Sequence, residues 1–151
     1  MVDRELSKQQ LERLRQLCSE AGIKLTHQRL EIFKKIFSGN DHPSAEQVYT
    51  RLHQDHPTIA IDTVYRTLAT FDELGLVKKL HVMHERTLFD TNLDIHHHFI
   101  CTHCKKVEDI YWPEFDKTML PGMVEQVGTV QSRHLEIHGV CNSCLTQTEK
   151  E

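Results

Sequence analysis

Four of the five cysteines in this 151-residue chain form two pairs of identical spacing, Cys101-x2-Cys104 and Cys141-x2-Cys144. Each pair makes a knuckle that can turn two sulfurs toward one ion, and four thiolates suit a closed tetrahedral site of the structural zinc kind. Thiolate-bound iron uses the same ligands, so the spacing leaves both metals open. Two disulfides are the competing reading, but each would close a very short loop and constrain little of the fold. In a chain that reads as cytoplasmic and reduced, metal is preferred. Cys18 stands apart, at a core position of the first helix, and reads as a small buried hydrophobe.

The first knuckle is preceded by a histidine run. The nine residues from His96 to Cys104 hold four His and two Cys. On a strand, His96 and His98 point to one face and His97 to the other. Two imidazoles on one face are half of a metal site. Asp90 and Asp109 are suitable carboxylates to extend it, and His42, just before the third helix, can add another nitrogen. This nitrogen and oxygen set suits Fe(II), Mn(II) or another divalent cation better than a soft, thiophilic one.

These residues need elements to position them. Ser7 and Gln10 have capping-box spacing, and Leu11, Leu14, Leu17, Cys18 and Ala21 follow at helical intervals up to Gly22. Thr26 can cap a second helix carrying Leu30, Phe33 and Phe37, with Gly39 as its stop. Ser44 and Gln47 form another capping box, with Val48 and Leu52 behind it, and His56-Pro57 marks the expected end. Asp62 is the expected cap of a fourth helix, lined by Val64, Leu68, Phe71 and Leu74 and closed by Gly75. LVKKLHV and TLFDT then read as two strands around a polar turn at Met83 to Arg86.

Helices followed by a hairpin predict a winged helix-turn-helix over residues 1–90. A hinge follows at 91–94. A small α/β unit occupies 95–151, ordered as a strand (HHFIC), a strand (KKVEDIYW), a helix near Glu114 to Val127 and a strand (VQSRHLEIHGV). The fold class is α+β.

Charge divides along the same line. The chain carries 18 Lys+Arg against 22 Asp+Glu, a formal charge of −4. Residues 1–86 hold 13 and 12 of these, while residues 87–151 hold 5 and 10, so any polyanion-binding surface belongs to the first part. With 38% hydrophobic and 26% charged residues the composition is that of a folded protein. No apolar run approaches the roughly 18 residues of a membrane span. The charged opening segment reads as neither signal nor anchor, so a cytoplasmic protein without a membrane partner is expected.

Taken together, THQR, HPSAEQVY, TVYRTL with FDELGLV after it, and HHHFICTHC with HGVCNSC resemble the ferric uptake regulator (Fur) family of metal-dependent repressors. The resemblance implies a winged-helix DNA-binding domain, a C-terminal dimerisation domain, a homodimer and metal-dependent binding to double-stranded operator DNA. It also matches Cys101, Cys104, Cys141 and Cys144 to a structural Zn2+ site. His42, Asp90, His96, His98 and Asp109 match the Fe2+ or Mn2+ ligands of the peroxide-sensing PerR branch, in which His42 and His96 would be the oxidised ligands.

Asp at both carboxylate positions is typical of that branch, whereas iron-sensing members usually carry Glu. Ile95 and Arg133 occupy places where iron sensors have histidines of a third metal site. Val64-Tyr65-Arg66 points the other way, toward an iron-sensing repressor.

Tyr65, Arg66 and Thr63 are the candidates for base or groove contacts, and Arg29, Lys24, Lys78 and Lys79 for phosphate. A metalloenzyme is the reading from another class, since histidines and carboxylates can activate water. HExxH, the HxE with PCxxC arrangement, a GxSxG elbow and a phosphate-binding glycine loop are all absent from the sequence, so no enzyme and no small organic substrate is expected.

Overall fold

The computed structural model describes residues 6–82 and 86–148 and divides the chain into two compact units, Met1–Leu93 and Asp94–Glu151. The first unit opens with four helices: α1 (Lys8–Glu20), α2 (His27–Phe37), α3 (Ala45–His53) and α4 (Ile61–Glu73). Both serine capping boxes form, Ser7 with Gln10 and Ser44 with Gln47, and Thr26 accepts from the Arg29 backbone N–H at 3.3 Å. These bonds satisfy backbone donors that a helix start leaves over.

Asp62 is not a cap. Ala60 occupies that place without a side-chain bond, and Asp62 lies inside the first turn, 2.9 Å from Arg66 one turn on. The helix starts just after Ile59, which is buried in the core, and an acidic residue in the first turn suits the positive end of the helix dipole. Three residues earlier than expected, α3 stops at His53. Gly22 and Gly75 take φ of 67° and 68°, the left-handed conformation that ends α1 and α4.

The four helices share one core: Leu14 and Cys18 from α1, Ile32, Phe33 and Ile36 from α2, Val48 and Leu52 from α3, and Val64, Leu68 and Phe71 from α4. On α2 the fully buried stripe is Ile32, Phe33 and Ile36, whereas Leu30 and Phe37 are only partly covered. Two antiparallel strands, β1 (Lys78–Val82) and β2 (Arg86–Asp90), complete the winged helix-turn-helix. The expected turn falls on residues outside those described, except Arg86, which opens β2. The Phe89 N–H donates to the Pro43 carbonyl at 2.9 Å, and Ser44 bridges Leu88, so β2 is tied to the segment entering α3.

The second unit is a three-stranded sheet of order β4-β3-β5, from β3 (His97–Cys101), β4 (Val107–Ile110) and β5 (Glu136–Gly139). β4 runs antiparallel to β3, and β5 parallel to it. The single helix expected near Glu114 to Val127 is two short ones, α5 (Pro113–Lys117) and α6 (Gly122–Val127), because Pro121 between them cannot donate within a continuing helix. A last helix, α7 (Asn142–Thr148), follows the second knuckle and was not expected from the sequence. Among the described residues, no helix is long and apolar enough to cross a membrane.

Candidate functional site

Parallel pairing of β3 with β5 sets Cys101 opposite Gly139, so the hairpin after β3 and the β5–α7 junction lie at one end of the sheet. Those two segments carry the two knuckles. The four sulfurs converge to within 4.8 Å of one another, with Cys101 3.9 Å from Cys144 and Cys104 3.8 Å from Cys141. Tetrahedral thiolates at about 2.3 Å from zinc would be about 3.8 Å apart, while a disulfide would need about 2.05 Å. The donor set and spacing therefore fit a four-coordinate metal, and all five cysteines are free thiols.

The thiols are not equivalent. Backbone N–H groups of Cys141, at 3.3 Å, and Cys104, at 3.5 Å, point at the Cys101 sulfur and hold its pKa down to about 5. Cys144, hydrogen-bonded to Cys141 and packed among the other sulfurs, is pushed up to about 12. Charge placed on one sulfur thus opposes charge on the next, and a dication removes that conflict by binding all four as thiolates.

At the other end of β3, the histidine run separates by face as the strand period requires. Nε2 of His96 lies 3.0 Å from Nε2 of His98, and Asp109 Oδ1 is 3.5 Å and 3.7 Å from them. Register supplies the carboxylate, because Asp109 pairs with His98 across the β3–β4 ladder. The His96 Nδ1–H donates to the Asp94 carbonyl at 2.7 Å, leaving the lone pair of neutral His96 on Nε2.

His134, to which the sequence reading gave no role, does the same for His98. Its Nε2 lies 3.0 Å from His98 Nδ1, and burial followed by the neighbouring His98 lowers its pKa; in the tautomer whose Nε2 accepts, His98 Nδ1–H is the donor and the His98 lone pair lies on Nε2. Two lone pairs and a carboxylate then face a common point. Imidazoles at about 2.1 Å from one ion and at right angles would be about 3.0 Å apart, so the donor set fits a divalent cation.

His97 turns away. Its Nδ1 accepts from the Leu135 N–H at 3.2 Å and its Nε2–H donates to Asp116 at 3.1 Å, which makes it a satisfied core histidine. Ile95 is 73% exposed, and Arg133 donates to the Phe115 and Thr118 carbonyls at the end of α5.

In the first unit, the β2 tether to Pro43 brings His42 Nε2 to 3.7 Å from Asp90 Oδ1. Asp90 Oδ1 also accepts from the Asn92 N–H at 2.8 Å, which orients the carboxylate. His42 and Asp90 are thus one nitrogen and oxygen pair, and His96, His98 and Asp109 are a second, larger set.

The polar face of α4 is also divided. Arg29, Thr63 and Arg66 line a concavity of about 260 Å³ with Thr26 and Thr67. Tyr65, 45% exposed rather than packed in the core, lines a separate groove of about 790 Å³ that includes Lys79 and Arg86. Lys24 and Lys78 are exposed and line neither. The Arg29 guanidinium donates to the Lys24 carbonyl.

The ferric uptake regulator family model matches residues 20–138. The peroxide-responsive repressor PerR of Staphylococcus aureus strain Mu50 is 34% identical over 125 residues, covering 83% of this chain and 84% of that protein. Among solved structures, the Helicobacter pylori ferric uptake regulator, described as having three functional metal-binding sites, matches with a TM-score of 0.78 over 96% of this chain and 97% of its own. At 24% identity it speaks to the fold alone. The Vibrio cholerae ferric uptake regulator matches with a TM-score of 0.72 and 26% identity, over 85% and 99% of the two chains. The chain belongs to the ferric uptake regulator family.

Proposed function

We propose that this protein is a cytoplasmic, homodimeric repressor that binds operator DNA when a divalent metal is bound and releases it when peroxide oxidises the site. The winged-helix domain would read DNA, and the sheet domain would dimerise and sense. The observation that carries the reading is the His96, His98 and Asp109 set, whose two Nε2 atoms lie 3.0 Å apart and 3.5 Å and 3.7 Å from the same carboxylate oxygen. Asp at both carboxylate positions and the 34% identity to a peroxide-responsive repressor favour peroxide as the signal.

Cys101, Cys104, Cys141 and Cys144 hold structural zinc. His42 and Asp90 join His96, His98 and Asp109 on Fe(II) or Mn(II), so that occupancy couples the DNA-reading domain to the sensing domain. Two recognition helices in a dimer must match successive major grooves, so fixing that coupling controls affinity. Tyr65, Arg66 and Thr63 contact the groove, and Arg29, Lys24, Lys78 and Lys79 the backbone. Met119, Met123 and Val127, between 70% and 91% exposed, offer apolar surface for a second copy. Fe(II), when bound, would activate hydrogen peroxide, and His42 and His96 are the ligands expected to be oxidised: one peroxide oxygen enters the ring, which gives up two electrons, and the other leaves as water. An oxidised imidazole is a poorer donor, and its loss frees the domains from each other.

Val64-Tyr65-Arg66 supports the second reading, an iron-sensing repressor of iron uptake. One experiment separates the two. Fe(II)-loaded protein is treated with low peroxide and followed by operator binding and peptide mass. The peroxide reading expects an added oxygen on peptides containing His42 or His96, together with loss of binding, whereas Mn(II)-loaded protein is unchanged. Unmodified peptides and persistent binding favour iron sensing.

A further inference from the structure

Within the first unit, the Tyr65 hydroxyl of α4 donates to the carboxylate of Glu46 in the first turn of α3. Both side chains line the 790 Å³ groove, with Lys79, Arg86 and Arg51 among its other walls. Glu46 is held ionised below the usual carboxylate range, first by the phenol hydrogen bond, and Tyr65 is raised by the same bond, so the proton belongs to the phenol.

A phenol has one hydrogen. Once it is given to Glu46, the oxygen presents only lone pairs to anything entering the groove. In the major groove, acceptors are matched by the amino groups of adenine and cytosine and opposed by guanine O6 and N7 and by thymine O4.

We propose that Glu46 is a specificity-determining positioning residue acting through Tyr65: it commits the phenol to the acceptor role and so selects adenine or cytosine over guanine or thymine on the contacted strand at one place in each half-site. The inference rests on the reading of α4 as the DNA-recognition helix. Its charge has a separate effect, since a carboxylate among basic residues weakens binding to all DNA alike. The two effects are separable because glutamine keeps an acceptor for the phenol hydrogen but removes the charge.

The test uses Mn(II)-loaded full-length protein and a palindromic duplex selected by it from a random pool, with each half-site base pair then replaced in turn. Wild type, Glu46→Ala, Glu46→Gln, Tyr65→Phe and Glu46→Ala with Tyr65→Phe are compared, with thermal melting as the check on folding. Wild type is expected to prefer adenine or cytosine over guanine or thymine on one strand by about tenfold at one position. Glu46→Ala and Tyr65→Phe should each reduce that preference to about twofold or less, at the same position, and combining them should add nothing further. Glu46→Gln should keep the preference while binding all duplexes more tightly, as Glu46→Ala does.

A Glu46→Ala variant that keeps the wild-type base preference and differs only by a uniform change in affinity, effects of the two single variants at different positions, or multiplying effects in the double variant would overturn the proposal while leaving DNA binding in place. Failure of wild type to select any duplex in the presence of Mn(II) would overturn both it and the reading beneath it.

Discussion

The two units solve the problem of stability with different materials. In the first, the buried interior is a continuous apolar cluster from Leu14 to Phe89. In the second, the buried residues among those described are Ile100, Val107, Cys101, Cys144, His96, His97 and His98, and its large apolar side chains Met119, Met123 and Val127 lie outside. Burying a Leu or Phe side chain contributes about 1.5 to 3 kcal/mol without any ion. Burying thiols and imidazoles yields little until a cation engages their lone pairs. One unit is therefore a hydrophobic fold and the other a coordination fold.

Zinc removal should break the comparison most strongly. Cys101→Ser, or chelation of the native protein, is expected to remove on the order of 10 kcal/mol from the second unit. Residue-resolved NMR should then show collapsed dispersion for β3 to β5 while α1 to α4 keep their native shifts. A zinc-free protein with an intact sheet would end the distinction.

Phe71→Ala strikes from the other side. Phe71 is fully buried, and its loss should cost the first unit about 3 to 5 kcal/mol in a denaturant melt, with the zinc content per chain unaltered.

The smallest effect concerns pH. Burial alone would raise Glu31, but hydrogen bonding and charge from Lys34, with His56 and His27, more than offset it and lower its pKa. A depressed carboxylate stabilises the fold above its ordinary value of 4.5, and that contribution is lost as pH falls through the lower folded value. Glu31→Gln should therefore destabilise the first unit by about 1 kcal/mol at neutral pH. It should also flatten the acid limb of its melting curve below 4.5, as followed by circular dichroism.

Where chemistry is local, it was legible in the sequence. Ser7 with Gln10 and Ser44 with Gln47 announce their helices because both partners lie within one turn, and the CxxC pairs announce their cluster because each knuckle is self-contained. Where a tertiary partner decides, the sequence was silent. The start of α4 falls just after Ile59, which joins the core, so Asp62 misled. Pro121 is the exception, a local break that the sequence displays and the expected helix ran across. His134 stands 36 residues from His98, and nothing in its neighbours foretells that it holds that ring.

The parallel pairing of β3 with β5 also sets an order in time. Cys101 meets Cys144 across 43 positions and Cys104 meets Cys141 across 37. Each helix of the first unit closes over the short spans of its own turns, although Phe89 must still reach Pro43 across 46 positions. Local contacts form quickly, and distant ones wait for slower loop closure. A nascent molecule thus acquires its helices before its thiolate cluster, whose closure also waits on a metal ion.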